Sequence, residues 1–355
     1  MKINFKSFQK KISTEKLISL NNLKSSNYPI YIFGDGEYSK IVRQFLKSNT
    51  IEVRAHLISK GNELFIDGKS VTKLDAPFSL VIGIADQAKA EKLISGLSKE
   101  LSSCIASYYF CLNPFYNIDS DMLYLNWDRI CILLDSLHDD ESKIVIQQYL
   151  LSGASLNNVL LNPIFPQYFP SFFNLTDREI VVDGGAYIGD TLDEYLKFHK
   201  SFYEYHAFEP SSQNFTRLNQ TRKVENLFLY NNGLGLSNQA LLFHDGDSTT
   251  TTSSFHSSTF SGDKLREVQI VRLDDTIPKV SFIKLDIEGA ELDALIGSAN
   301  LITTYKPKIA VCIYHKFEHL WQVIDFLKSL RSDYKFSVRY HSTPKILTEL
   351  VLYAY

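Results

Sequence analysis

The chain has 355 residues, 45% of them hydrophobic, which is room for about two domains of roughly 100–200 residues, each with its own core. Thirty-seven lysines and arginines nearly balance 40 aspartates and glutamates, for a net charge of −3. That balance excludes the broad basic surface that tracks a phosphate backbone, so nucleic acid is not the expected partner.

Residues 1–13 are basic but are followed by no continuous apolar run, so they lack the core of a secretory signal. Residues 28–33 (YPIYIF) read as a short buried strand that enters Gly34-Asp35-Gly36 and then a helical pattern over 38–47, with Ile41, Val42, Phe45 and Leu46 on its apolar face. Further strands are expected at 51–58 and 79–84, and a helix at 88–101. This alternation predicts a small parallel α/β domain, Rossmann-like, over residues 1–118. Residues 122–156 carry helical apolar spacing interrupted near His138-Asp139-Asp140. Pro163, Pro166 and Pro170, interleaved with Phe165, Phe169, Phe172 and Phe173, then stiffen the chain. Residues 119–177 are therefore expected to be a helical connector with an aromatic linker.

A second alternation fills residues 178–355. Strands are expected at 180–182, 203–208, 227–230, 240–243, 268–273, 281–285, 308–313, 336–340 and 350–355. Helices are expected at 191–198, 212–218, 290–295 and 321–330. Ser248-Thr249-Thr250-Thr251-Thr252-Ser253-Ser254 reads as a solvated loop. No apolar run approaches about 18 residues, so no membrane span is expected. The four cysteines, Cys104, Cys111, Cys131 and Cys312, form no C-x-x-C pair and lie mostly in apolar runs. A reducing, cytoplasmic setting is the expectation, and the abundance of tyrosine and phenylalanine leaves a homo-oligomer open.

The chemistry concentrates in this second half. Val182-Asp183-Gly184-Gly185 ends a strand with a glycine turn reaching Gly189, which lets backbone approach a ligand at the carboxyl edge of a parallel sheet. The next strand ends in Glu209, placed to accept hydrogen bonds from both ribose hydroxyls of a nucleoside. The cofactor-binding set is read as Asp183, Gly184, Gly185, Gly189, Glu209, Pro210, Gly233 and Leu234. This geometry does not separate NAD from S-adenosylmethionine. The order of elements does, because a closing pair of strands near residue 355 matches the seven-stranded class I methyltransferase sheet. The expected fold is thus α/β, two Rossmann-like domains joined by a helical connector.

The motifs Val182-Asp183-Gly184-Gly185-Ala186-Tyr187-Ile188-Gly189-Asp190, Phe208-Glu209-Pro210 and Ile283-Lys284-Leu285-Asp286-Ile287-Glu288-Gly289-Ala290-Glu291 resemble those of FkbM-type methyltransferases. The last, K-x-D-x-E-G-x-E, is the most distinctive. Tyr187 departs from the asparagine frequent at that place. The resemblance implies an S-adenosylmethionine-dependent O-methyltransferase whose acceptors are sugars, glycan precursors or related natural products.

Asp286 ends one strand and His315 follows the next, so both are expected beside the cofactor as the catalytic pair, either one able to remove the acceptor's proton. Glu288 and Glu291 stand at the start of a helix, where carboxylates are favoured by the helix dipole and serve equally as caps. Asp286, Glu288 and His315 could instead hold a divalent cation, although no ligand spacing demands one. His319, His244 and His256 rank behind His315. The N-terminal Gly34-Asp35-Gly36-Glu37-Tyr38-Ser39-Lys40 lacks the third glycine of a dinucleotide motif and has no acidic residue closing the next strand. It is similar to Rossmann-like domains that precede sugar-modifying enzymes, and a cofactor-free docking or recognition module is preferred there. Two other functions stay open: a nucleotide-sugar-binding or scaffold protein with an inactive methyltransferase fold, and an NAD-dependent sugar oxidoreductase.

Overall fold

The computed structural model describes residues 20–34, 37–60, 63–66, 69–71, 77–83, 103–110, 118, 120–152, 165–221, 224–245, 264–341 and 348–355. It divides into two compact units. The first comprises Met1–Trp127, Gln147–Leu161 and Ser342–Leu347, and the second Asp128–Ile146, Asn162–His341 and Thr348–Tyr355.

In the first unit, helix α1 (Leu20–Lys24) precedes strand β1 (Ile30–Phe33), which is buried throughout because all four of its side chains are apolar. Helix α2 (Glu37–Ser48) buries Val42, Phe45 and Leu46 against Ile30, Ile32 and Val81. Strands β2 (Ala55–Lys60), β3 (Glu63–Ile66), β4 (Lys69–Val71), β5 (Phe78–Ile82) and β6 (Ile105–Phe110) complete a sheet of order β4-β3-β2-β1-β5-β6 among the described residues. β2, β1, β5 and β6 run parallel, whereas β3 and β4 return as antiparallel strands. The polar stretch after β2 thus extends the sheet, which apolar periodicity alone does not signal. Asp35, Gly36 and the helix expected over 88–101 lie outside the described residues, as do Cys111, His256 and the serine and threonine tract.

Next along the chain come α3 (Ser120–Leu125), α4 (Trp127–Ser136) and α5 (Asp140–Ser152). The break falls at residues 137–139, where Asp139 accepts the Ser142 N–H at 2.8 Å and so caps α5.

The second unit carries a seven-stranded sheet among the described residues. Its strands are β7 (Ile180–Gly184), β8 (Glu204–Phe208), β9 (Leu227–Tyr230), β13 (Phe282–Leu285), β14 (Lys308–Cys312), β15 (Phe336–Tyr340) and β16 (Leu350–Ala354). The order is β15-β16-β14-β13-β7-β8-β9. All pairs from β14 to β9 are parallel, and β16 runs antiparallel to both β14 and β15. This is the order expected of a class I methyltransferase sheet.

Helices α6 (Asp190–Phe198), α7 (Ser212–Thr221), α8 (Leu273–Thr276), α9 (Glu291–Ile296), α10 (Ala299–Tyr305) and α11 (His319–Leu330) alternate with these strands. α6 buries Thr191, Leu192 and Tyr195, and α11 buries Leu320, Val323, Ile324 and Leu327, the spacing of a single apolar face. A small sheet of β10 (Gly233–Leu234), β12 (Lys264–Val271) and β11 (Gln239–Asp245) stands beside them. The aromatic segment is core as well as connection: Phe169 and Phe173 both meet Phe282 edge-on at 5.9 Å, and Phe172 packs on Tyr355 at 4.8 Å. No helix among the described residues is long and apolar enough to cross a membrane.

Candidate active site

Because β14, β13, β7, β8 and β9 are parallel, the segments that follow them emerge along one edge of the sheet. The glycine turn leaves β7 there. Gly185 has φ +76°, and a Cβ at that residue would lie 1.9 Å from the Asp286 carbonyl oxygen, so only glycine fits. Gly185 and Ala186 donate their N–H groups to the Phe208 carbonyl, each at 3.0 Å, which ties the turn to β8. Gly189, at φ 92°, precedes the first turn of α6.

Glu209 follows β8 and is 5% exposed. One of its oxygens accepts the Tyr187 N–H and the other the Ser211 N–H, both at 2.9 Å. Burial pushes its carboxyl up to about 7 despite these bonds. The Asn214 side chain also hydrogen-bonds this carboxylate. Leu234 approaches Gly184 across the turn, and the Asn231 amide donates to the Glu209 and Pro210 carbonyls. The residues predicted for the cofactor are thus gathered by β7, β8 and the segment after β9. Asp183 stands apart in its role: it is fully buried, its Oδ2 accepts the Tyr205 hydroxyl at 2.8 Å, and its Oδ1 meets the Lys284 ammonium at 2.9 Å.

The second half of the site follows β13 and β14. His315 is buried, with Nδ1 2.8 Å from Glu291 Oε1 and Nε2 3.6 Å from Asp286 Oδ1 and 3.5 Å from Glu288 Oε2. Burial alone would depress the ring, but the charges of Glu291, Glu288 and Asp286 outweigh it and hold the imidazole up to about 10. Glu291 is itself fully buried. Desolvation would raise its carboxyl, yet the His315 charge and hydrogen bonds from His315 and His319 keep it far below the usual carboxylate range.

Glu291 Oε1 also accepts the N–H groups of Ile287 and Gly289, at 3.0 and 3.2 Å, so the residue closes the turn and anchors the histidine at once. His319 meets the other Glu291 oxygen at 3.2 Å and is held there. Glu288 differs. It sits at φ 55°, a left-handed conformation costly for a side-chain-bearing residue. Its Oε2 accepts no hydrogen bond among the described residues, and burial pushes its carboxyl up to about 8.

Several residues of this half were not read as site residues in the sequence. Tyr168, from the aromatic segment, donates its hydroxyl to Asp286 Oδ2 at 2.9 Å. Tyr314 lies within hydrogen-bond reach of Asp286 Oδ1 at 3.4 Å and of Glu349 Oε1 at 3.2 Å. Gln167 donates to Glu349 Oε2 at 2.5 Å, and Glu349 stands at φ 59° just before β16. Burial and the Asp286 charge raise the Glu349 carboxyl. The sequence signal for Tyr168 was the proline-spaced aromatic run, which reads more readily as a linker. His244 lies on β11, opposite Leu265 in the β11–β12 register.

Asp286, Glu291 and His315 bring possible metal-ligand atoms within 4.8 Å of one another. Glu291 Oε1 is engaged by two amides and the His315 ring, and Asp286 Oδ2 by the Tyr168 hydroxyl.

Residues 183–338 match the family model of the methyltransferase FkbM domain. A solved methyltransferase FkbM from Methylobacillus flagellatus KT is similar over 99% of this chain and 98% of its own, with TM-score 0.71 and 18% identity, which establishes a shared fold. A precorrin-6y C5,15-methyltransferase from Geobacter metallireducens GS-15 covers 52% of this chain and 84% of its own at TM-score 0.33 and 13% identity. A putative rRNA-methylase from Clostridium thermocellum covers 52% and 90% at TM-score 0.32 and 14% identity. Neither of these two bears on the function of this chain. No curated protein sequence matches it. Residues 183–338 of this chain therefore form a methyltransferase FkbM domain.

Proposed function

We propose that the protein is an S-adenosylmethionine-dependent O-methyltransferase that modifies a hydroxyl of a sugar, a glycan precursor or a related natural product. The observation that carries this reading is the shared sheet edge. A glycine turn and a buried ribose-type carboxylate, Glu209, stand there with the paired Asp286 and His315. Glu209, Pro210, Gly233, Leu234 and the turn from Asp183 to Gly189 would hold the cofactor, which supplies an electrophilic methyl group on a sulfonium. In the transfer, the acceptor oxygen forms a bond to that methyl as the carbon–sulfur bond breaks, and the hydroxyl proton passes to a base.

Asp286 is the base in this reading. A His315 ring that already carries a proton at neutral pH is unable to accept another, so its part is to hold Asp286 and Glu288 by charge. Tyr168 and Tyr314 fix the Asp286 carboxylate, and the acidic surroundings favour a hydroxyl or amine-bearing acceptor over an anionic one. The reaction is read as needing no metal ion, with Glu291 Oε1 serving two amides and the His315 ring and Asp286 Oδ2 serving Tyr168. The first unit is read as a docking or recognition module.

Calorimetric titration with S-adenosylhomocysteine and NAD tests the core of the proposal. Binding of the former alone is expected, and binding of NAD alone would overturn it. In an acceptor screen, Asp286→Asn should keep cofactor affinity and lose about 10²–10⁴-fold in kcat, the usual cost of a lost general base, with no effect of chelator on the wild type.

A further inference from the structure

Lys284 is 2% exposed, and the proposed reaction gives it no part. A buried ammonium is costly unless each of its three N–H groups finds an acceptor. Here each does. Nζ lies 2.9 Å from Asp183 Oδ1, donates to the Gly184 carbonyl at 3.1 Å and donates to the Gly185 carbonyl at 2.8 Å. The Tyr168 ring covers it at 5.2 Å. Burial would strip its proton, but the charges of Asp183, Asp286 and Asp190 keep it in place.

The two carbonyls matter because a trans peptide is planar, with its C=O and N–H pointing to opposite sides. Holding the Gly184 and Gly185 carbonyls toward β13 sends the N–H groups of Gly185 and Ala186 the other way, and both meet the Phe208 carbonyl at the end of β8. The next N–H, of Tyr187, then falls on Glu209 Oε2. One side chain therefore orients two consecutive peptides, and the turn they open carries the next amide onto a carboxylate that follows the neighbouring strand. Its register explains why a lysine serves: Lys284 is paired with Asp183 across β13 and β7, so the side chain runs alongside the turn that β7 feeds.

We infer that Lys284 is the positioning residue of the cofactor turn, bracing the Gly184 and Gly185 carbonyls so that the turn's amides set Glu209 for the cofactor ribose. This rests on the reading of that turn as the cofactor site. It also assigns the lysine of K-x-D-x-E-G-x-E to geometry, with no proton transfer of its own.

Removing the ammonium alone would strand Asp183 in the core, so Lys284→Met is compared with the charge-neutral pair Lys284→Met with Asp183→Asn in the full chain. Far-UV dichroism and cooperative unfolding establish that each is folded. S-adenosylhomocysteine is titrated calorimetrically from pH 6 to 9, and amide exchange is followed over residues 184–188. The folded double variant should bind on the order of tenfold more weakly, the scale of a lost charge-assisted hydrogen bond. Its turn amides should exchange faster. The pH midpoint of binding should also move upward, because the Lys284 charge helps Glu209 to ionise, a change that loss of packing alone would not produce.

Wild-type affinity and an unshifted midpoint in a folded variant would overturn the inference. Failure of the wild type to bind S-adenosylhomocysteine would instead overturn the cofactor site. If neither variant folds, nitrogen-15 spectra of the wild-type lysine ammonium decide: a slowly exchanging Lys284 signal that shifts with ligand supports the brace, and a rapidly exchanging, unresponsive one refutes it.

Discussion

His315 is enclosed by carboxylates from its own sheet edge, with Glu291 on one ring nitrogen and Asp286 and Glu288 near the other. Its proton is therefore retained well past the pH at which a free imidazole, at about 6.5, would lose it. In nuclear magnetic resonance titrations the ring should show no midpoint between about pH 6 and 8. Glu291→Gln should return the midpoint toward that of an ordinary imidazole. An ordinary midpoint in the wild type would refute the charged assignment.

The same shifts set a stability profile. A raised histidine stabilises the fold fully below about 6.5 and fades as pH climbs to about 10. The lowered Glu291 stabilises above the usual glutamate range and is lost only in acid. Glu288, raised to about 8, works the opposite way and weakens the fold as pH rises from about 4.5. The thermal midpoint should accordingly be higher at pH 6 than at pH 8.5, and Glu288→Gln should narrow that difference in calorimetry.

Among the elements, β15 is one edge of the seven-stranded sheet, and such edges need cover. The start of α5 supplies it. His138 donates its N–H to the Phe336 carbonyl at 2.7 Å, and Ser142 Oγ accepts the Val338 N–H at 2.8 Å. Asp139 caps α5, accepts from Ser337 Oγ at 2.5 Å, and meets Arg339, which is 8% exposed at its side chain, at 3.1 Å. Asp139→Ala thus removes a cap and leaves a buried guanidinium with Glu141 as its remaining acidic partner. A loss of roughly 2–3 kcal/mol in denaturant unfolding is expected, below the ~3–5 kcal/mol of a fully buried pair because Asp139 keeps some solvent. The hinge at 138–140 is readable in the sequence as polar residues inside a helical pattern. That Asp139 reaches β15, about two hundred residues away, is not, since a cap and a long-range ion pair leave the same single aspartate. The long strands and helices of the second unit were likewise legible from periodicity. β3, β4, β10 and α8 were not, because segments this short derive from their neighbours rather than from their own pattern.

At the scale of the molecule, the order of strands β7 to β16 was foreseeable because the motifs fix which strands carry the turn and the acid. The cofactor half of the site was legible for the same reason, since local motifs build it. The Gln167, Tyr168 and Glu349 contributions were hidden, because Tyr168 reaches Asp286, and Gln167 and Glu349 reach each other and Tyr314, only through tertiary packing of segments far away in sequence. The second unit also includes Asp128–Ile146, well before the first cofactor motif. A fragment beginning at Asp128 is therefore expected to fold and bind S-adenosylhomocysteine. One beginning near Asn162 keeps every motif but deprives Arg339 of Asp139 and Glu141. Thermal denaturation of the two, with ligand titration, should find the shorter one less stable; equal stability would show that α4 and the start of α5 contribute nothing to the unit.

The position of β16 has a consequence for how the protein comes into being. This strand lies between β14 and β15, yet is synthesised after both. In the finished sheet β14 and β15 are joined only through β16, so that edge of each strand has its partner only once β16 has been made. Glu349, just ahead of β16, arrives at the Tyr314 hydroxyl only when that strand docks. The Glu349 contribution to the site thus depends on a strand made after the glycine turn and after the segments that carry Asp286, Glu288 and Glu291.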